Sequence, residues 1–289
     1  MKNYLKLIRV DQYVKNFFVF APVFFGGVLL DSNLLIHVFL AFIAFSFAAS
    51  SIYIVNDIYD IKADQAHPIK SKRAIASGKI TINKAIILQL ILMSSAIAIS
   101  WQISLQLLFI IGAYITLNFL YSKWLKHIAI LDINIIAVGF VLRILAGAAV
   151  SEIEPSIWIL LITYLLALFL GIAKRRTDVV LAQNGKAVRK SIEGYNLSFV
   201  DSVLGILASV IVVCYIFYCI APENQLHYHS NLLYVSIIFV INGIFRYLKL
   251  AIVDQSTYSP TEIILKDIFI QVTILLWVAL MSYLLYFNF

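Results

Sequence analysis

The chain is short of charge. Asp, Glu, Lys and Arg together make up 13% of its 289 residues, against about 25% in soluble domains. A soluble globule of this length cannot hide the 62% of hydrophobic residues that the chain carries. A cytosolic enzyme, a secreted disulfide scaffold and a disordered chain are therefore excluded. Cysteine is scarce as well: Cys214 and Cys219 lie five apart in one apolar run, which is neither C-x-x-C spacing nor good bridging geometry on a helix, and they read as buried inert thiols. No Gly-rich nucleotide loop, Rossmann signature, Ser-His-Asp or Cys-His arrangement stands out. His227 and His229 form an H-x-H with no acidic or thiol partner, a weak metal motif. What remains is an all-α, polytopic membrane protein. The net charge of +7 then concerns sidedness in a bilayer, not nucleic acid.

Continuous apolar runs without period-2 alternation predict helices, not barrel strands. They fall near Phe17–Leu30, Leu34–Val55, Ala85–Trp101, Leu105–Leu120, Ile128–Val150, Ile157–Ala173, Val200–Ile220, Leu232–Leu248 and Ile263–Phe287. That makes nine expected transmembrane helices in one integral-membrane domain over 1–289. The first run is read as a retained helix, since no small-x-small cleavage site follows it. Numbered from a cytoplasmic N-terminus, the N-terminal segment and the even loops with the run ends around them hold 21 of the 22 Lys and Arg, and Arg143 inside the fifth run is the other one. The odd loops hold only Asp31, Glu152, Glu154 and Glu223. This is a positive-inside pattern, expected for a multi-pass protein of a bacterial-type plasma (inner) membrane. Two cytoplasmic loops, near 56–83 and 174–199, are long and polar, and chemistry tends to sit on such loops.

The first of them opens Asn56-Asp57-Ile58-Tyr59-Asp60 and continues through Asp64 and His67-Pro68 to Lys70, Lys72, Arg73 and Ser77-Gly78. Asn56, Asp60 and Asp64 are spaced i, i+4, i+8. On a continuing helix they fall within an arc of roughly 80°. Hard oxygen ligands of this kind suit Mg²⁺, usually held by one or two carboxylates plus substrate phosphates. Acids at a helix C-terminus oppose the dipole and repel one another unless a cation is bound. A solvated acidic helix end paired with lysines is the plain alternative. Cations directly after the acids favour a metal-bridged diphosphate.

These motifs carry a resemblance. N-D-x-x-D-x-x-x-D followed by R-x-I-A-S-G resembles the first aspartate-rich motif of the UbiA superfamily of intramembrane prenyltransferases. Leu120-Tyr121-Ser122 to Lys126, Leu131-Asp132, Gly139-Phe140 and Arg143-x-x-Ala146-Gly147 also look like family positions. A narrower likeness is to the branch that transfers phosphoribose to polyprenyl phosphate. It rests on Asp64-x-x-His67-Pro68-x-Lys70-x-x-Arg73, Arg9-Val10-x-Gln12-x-Val14-Lys15-Asn16, Lys174-Arg175, Arg189-Lys190-Ser191-x-Glu193-x-Tyr195 and Arg246-Tyr247. The likeness implies a nine-helix bundle, Mg²⁺ as cofactor, 5-phosphoribosyl diphosphate as donor and a decaprenyl-type phosphate as acceptor. A cell-wall arabinose precursor would be the product's use. Two departures stand out. Ala74 replaces the usual proline after Arg73, and Asp178 is followed four positions later by Ala182, so the second D-x-x-x-D motif is incomplete.

The expected roles follow. Asn56, Asp60 and Asp64 are metal ligands, with Asp57, Asp60 and Asp64 at the chemistry. Lys15, Asn16, His67, Lys70, Lys72, Arg73, Tyr121, Lys126, Arg143, Lys174, Arg175, Asp178, Arg189, Lys190, Glu193 and Tyr195 are expected around the substrates. Bland readings stand beside several of these. Lys174, Arg175 and Arg176 suit a stop-transfer anchor. Asp178 and Glu193 suit solvated ion pairs, and Tyr121 and Lys126 suit an interfacial pair. Arg143 suits a structural or carbonyl-bonded arginine. Two rival functions stay open: a prenyl-diphosphate:aromatic acceptor transferase, and a transporter, against which the scarcity of intramembrane charge counts. A homo-oligomer is left open.

Overall fold

The computed structural model describes residues 2–66, 70–183, 194–228, 231–256 and 258–287, and their regular structure is helical. The chain divides into two compact units, Met1–Pro155 and Ser156–Phe289.

The first unit contains α1 (Lys2–Leu7), an 11-residue 3₁₀ segment (Val10–Phe20), α2 (Ala21–Phe25), α3 (Ser32–Tyr59) and α4 (Ile61–Gln65). It continues with a 3₁₀ turn (Lys70–Lys72), α5 (Ile82–Ile103), α6 (Leu105–Lys123), a second 3₁₀ turn (Leu125–His127) and α7 (Leu131–Ser151). The centre is α3, which packs against α5, α6, α7 and the 3₁₀ segment. Its apolar residues run all round the helix, as a core helix requires. The small residues Ala41, Ala44, Ala48 and Ala49 are buried and let neighbours approach closely. Asp31 caps its start, accepting from the backbone N–H groups of Asn33 and Leu34 at 3.0 and 3.2 Å. At 28 residues it is about 42 Å long.

The second unit contains α8 (Ile157–Gln183), α9 (Leu197–Ile220), α10 (Pro222–His227), a 3₁₀ turn (Asn231–Ser236) and α11 (Ile237–Leu248). A π-helical turn (Lys249–Val253), α12 (Pro260–Lys266) and α13 (Ile268–Tyr286) complete it. α8 packs on α9, and α11 on α13. Arg246 holds Asp267, the N-cap of α13, through Nη2 at 2.7 Å. That bond keeps the Asp267 carboxyl below the usual carboxylate range. Cys214 and Cys219 are free and buried.

Eight spans among the described residues are long and apolar enough to cross a membrane: α3, α5, α6, α7, α8, α9, Leu232–Val253 and α13. The first expected run, Phe17–Leu30, does not form one helix. Its first residues finish the 3₁₀ segment, and α2 spans only five residues. Pro22 sits in the first turn of α2, where its missing N–H is harmless, and Gly27 ends the run at φ 73°, a conformation that glycine tolerates. Both expected polar loops also begin later than the apolar runs suggest. α3 and α4 carry helix to Gln65, and α8 continues ten residues beyond Ala173 to Gln183. Lys174 to Gln183 includes Lys, Arg, Leu, Ala and Gln, which are good helix formers.

Gly147 of α7 lies against the 3₁₀ segment so closely that an added Cβ would meet the Val19 carbonyl oxygen at 1.9 Å. Gly205 of α9 has open space at the same position. Gly147→Ala should therefore lower the midpoint of thermal unfolding in detergent, by about 1–3 kcal/mol of overpacking. Gly205→Ala should leave the midpoint unchanged or raise it, since alanine is the better helix former.

Candidate active site

The end of α3 that carries the aspartates is built on a polar stripe. Ser46, Ser50, Tyr53 and Asp57 recur at intervals of four, three and four residues, which places them on one face. The 3₁₀ segment runs antiparallel along that face. Tyr13 Oη lies 3.0 Å from Ser50 Oγ, and Asn16 Nδ2 donates to Ser46 Oγ at 2.9 Å. The pairing is a match of pitches: three residues of 3₁₀ helix rise about 6 Å, as do four residues of α-helix. Tyr13, Asn16 and Val19 therefore share one side of the segment.

Arg9 precedes the segment in the left-handed region, at φ 54°. Its guanidinium stacks over the Tyr53 ring at 4.7 Å, and Nη2 donates to Asp57 Oδ1 at 2.5 Å. Arg73 reaches the same carboxylate from the other side. Its Nη1 donates to Asp57 Oδ1 at 3.1 Å and to Asp64 Oδ2 at 2.8 Å. Asp57 and Asp64 are 5% and 3% exposed, so they depend on these cations to stay charged. Arg73 is aimed by its own turn. Ser77 donates to the Arg73 carbonyl from both N and Oγ, at 2.9 and 2.7 Å. Gly78 closes the turn at φ 72°, and Ile75 and Ile80 bury themselves with Leu7, Ile54, Ala85 and Leu92.

Asp60 forms the junction between α3 and α4. Its carboxylate accepts from Asn56 Nδ2 at 3.1 Å and from Lys126 Nζ at 2.5 Å. The expected i, i+4, i+8 set is thus divided: Asn56 and Asp60 share one cluster with Lys126, and Asp64 joins Asp57 on Arg73. Among the described residues no three His, Cys, Asp or Glu side chains converge as a ready metal cage. The donors nevertheless suit Mg²⁺. They are all oxygen, two carboxylates per ion are enough when phosphates complete the shell, and each carboxylate has a cation beside it.

The structure places the remaining expected residues as follows. Arg143 is buried and carbonyl-bonded. Its Nε donates to Asn16 Oδ1 at 2.8 Å and its Nη1 to the Gly139 carbonyl at 2.6 Å, while Phe45, Tyr114 and Phe140 surround it at 4.8–5.3 Å. Lys70 is partly exposed and Lys72 exposed, and Tyr121 lies in the last turn of α6. In the second unit Arg175 is buried and bonds Asp178 at 2.9 Å. Lys174 is exposed, and Tyr195 is buried beside Phe199. His67, Arg189, Lys190 and Glu193 lie outside the described residues. Two arginines were absent from the expected set. Arg9 is flagged only by its place ahead of Lys15-Asn16, and Arg176 pairs with Asp201 at 2.6 Å, a contact across 25 residues that no local spacing reveals.

Membrane-length helices and a buried cluster of carboxylates interleaved with cations suit an intramembrane enzyme acting on anionic groups. The chain belongs to the UbiA prenyltransferase family, whose model matches residues 19–271. It is 33% identical to the decaprenyl-phosphate phosphoribosyltransferase of Mycolicibacterium smegmatis, over 98% of this chain and 92% of that protein. It is 32% identical to the enzyme of the same name from Corynebacterium glutamicum, over 95% of this chain and 84% of that one. The fold is similar to a UbiA homolog from Archaeoglobus fulgidus solved with DMAPP and Mg²⁺. The TM-score is 0.74 at 18% identity, with 98% of this chain and 99% of that chain covered.

Arg73→Met should leave Asp57 and Asp64 facing each other without the charge that joins them. The expected loss is about 2–4 kcal/mol, below that of a fully buried pair because Arg73 is part-exposed. Arg73→Met/Asp64→Asn should recover most of it. Detergent unfolding midpoints of the natural chain and the two variants check this; an Arg73→Met midpoint equal to the natural one would show that the ion pair carries no stability.

Proposed function

We propose that the protein transfers the 5-phosphoribosyl group of 5-phosphoribosyl diphosphate to a polyprenyl phosphate and releases diphosphate. The observation that carries this reading is the interleaving of acids and cations at one end of α3, with one Arg73 nitrogen bonding two carboxylates. Such a site suits a metal-bound diphosphate together with further phosphates. The names of the mycobacterial and corynebacterial relatives support the choice of donor and acceptor.

Asn56, Asp60 and Asp64, with Asp57 adjacent, would hold Mg²⁺, which supplies positive charge for a departing diphosphate. Arg73 and Lys126 are the side chains that exchange a carboxylate for a phosphate oxygen when substrate binds. The exchange swaps one anionic oxygen for another and needs no proton transfer. The ribose C1–O bond to the diphosphate breaks, and a new C1–O bond forms to the lipid phosphate. That oxygen is ionised at neutral pH, and no strong general base is required. Lys70 and Lys72 lie on the same loop as Arg73 and add to the positive field that draws in an anionic sugar. His67 and, in the second unit, Lys174, Arg175, Asp178, Arg189, Lys190, Glu193 and Tyr195 are offered as substrate-recognising groups. The positive-inside pattern supports a cytoplasmic N-terminus and a cytoplasmic position for the Asp57 end of α3, where a soluble sugar diphosphate is met. A bacterial-type plasma membrane fits this arrangement.

Purified protein, labelled 5-phosphoribosyl diphosphate, decaprenyl phosphate and Mg²⁺ should yield label in the organic phase. EDTA and Asp60→Asn should each abolish it, the latter by at least about a hundredfold. No lipid-linked label, with the same preparation instead joining a prenyl diphosphate to an aromatic acceptor, would replace this reading with its rival.

A further inference from the structure

The 3₁₀ segment carries one cation that the acid cluster does not use. Lys15 is half-buried, and among the described residues no ion pair or hydrogen bond engages its ammonium. The charges that bear on it most are Arg143 and Arg9, both of like sign, with Asp11 opposing them. Asp11 is already engaged, accepting from Gln12 Nε2 at 2.6 Å. Neither arginine is free to turn away: Arg9 is fixed on Asp57 and Tyr53, and Arg143 on Asn16, the Gly139 carbonyl and three aromatic rings. Three cations gathered in a partly desolvated place repel one another unless an anion is shared between them.

The level of this place along α3 narrows the anion. The residue after Lys15, Asn16, is bonded to Ser46, eleven residues and about 16 Å inward from Asp57. A soluble phosphate enters from the aspartate end and meets Arg73, Lys126 and Arg9 first. An anion held deeper is one carried on an apolar chain. The segment presents an apolar strip beside Lys15: Val14 and Phe17 are each 59% exposed. Phe17 leads on to Phe42 at 5.3 Å between ring centroids, and Phe42 to the exposed Phe39 at 6.1 Å. These rings step along α3 away from the aspartates.

We propose that Lys15, between Arg9 and Arg143, binds the phosphate of the polyprenyl phosphate acceptor, with its first isoprene units lying on Phe17, Phe42 and Phe39. The choice of this lipid rests on the phosphoribosyl-transfer reading above. The assignment separates the phosphates: the diphosphate stays with the aspartates and Arg73, while the nucleophilic phosphate approaches from the membrane side of Arg9. Lys15 thereby selects a phosphorylated acceptor over an uncharged one.

The test compares decaprenyl phosphate with decaprenol as stabilisers of the whole protein in detergent, for the natural chain, Lys15→Met and Lys15→Arg. Decaprenyl phosphate should raise the natural protein's unfolding midpoint well above the effect of decaprenol. Lys15→Met should remove that difference, and Lys15→Arg should keep most of it. In turnover, Lys15→Met should raise KM for decaprenyl phosphate about tenfold or more, the loss of one charge-assisted bond. KM for 5-phosphoribosyl diphosphate should change by less than about twofold, since that substrate keeps its own cations. A full difference retained in Lys15→Met, no difference in the natural protein, or a KM effect falling on the sugar substrate overturns the assignment. The binding measurement needs no transfer to occur. Lipid binding through Lys15 without formation of phosphoribosyl lipid would leave this site standing and remove the reaction proposed above.

Discussion

Two buried carboxylates, Asp57 and Asp64, set the terms for the first unit. A carboxylate taken out of water must find positive charge or lose its own, and these two find it in Arg73, with Arg9 also serving Asp57. Each requirement shapes a stretch of backbone. The left-handed turn at Arg9 points one guanidinium at α3. The closed turn from Arg73 to Gly78 points the other back from the far side. The interruption of helix at Asp60 turns that residue toward Lys126. The apolar contacts of Leu7, Ile54, Ile75 and Ile80 then hold both arginine-bearing segments in place. Hydrophobic burial supplies the stability here, and ion pairing decides the arrangement.

α3 serves as the spine of that arrangement. One of its faces is a ladder of polar groups, and each rung has a partner: Ser46 with Asn16, Ser50 with Tyr13 and the Ile8 carbonyl, Tyr53 with Arg9, and Asp57 with both arginines. The ladder lets a charged site reach into a region otherwise filled with apolar side chains without leaving polar groups unsatisfied. Arg143 illustrates the rule. Its charge is spread over a carbonyl, an amide oxygen and three aromatic faces, which together replace the water it has lost.

Most of the architecture was legible in the residue pattern because continuous apolar runs have few other uses. Boundaries were less so. Charged residues open Lys174–Gln183 and end the apolar run, yet its helix formers extend α8. Phe17–Leu30 is apolar, yet Pro22 and the Gly26-Gly27 pair prevent a single helix. In the site, Asp57, Asp60 and Asp64 were visible from their spacing, as was the nearness of Arg73 in the chain. The way they sort was not: a helical arc puts Asp64 with Asn56 and Asp60, whereas Arg73 draws it to Asp57. Arg9 and Arg143 find their partners across 48 and 127 residues, separations over which no periodicity operates.

The long 3₁₀ segment has a consequence for how its sequence can vary. With three residues per turn, side chains three apart stand one above another. Gain or loss of one residue between Tyr13 and Val19 would rotate everything beyond it by about 120°. Asn16 would leave Ser46 and Arg143 together, and Val19 would leave the gap at Gly147. Substitutions on the outward side, at Val14 or Phe17, disturb none of these bonds. The segment therefore tolerates changes of identity far better than changes of length, a property more familiar in β-strands than in helices.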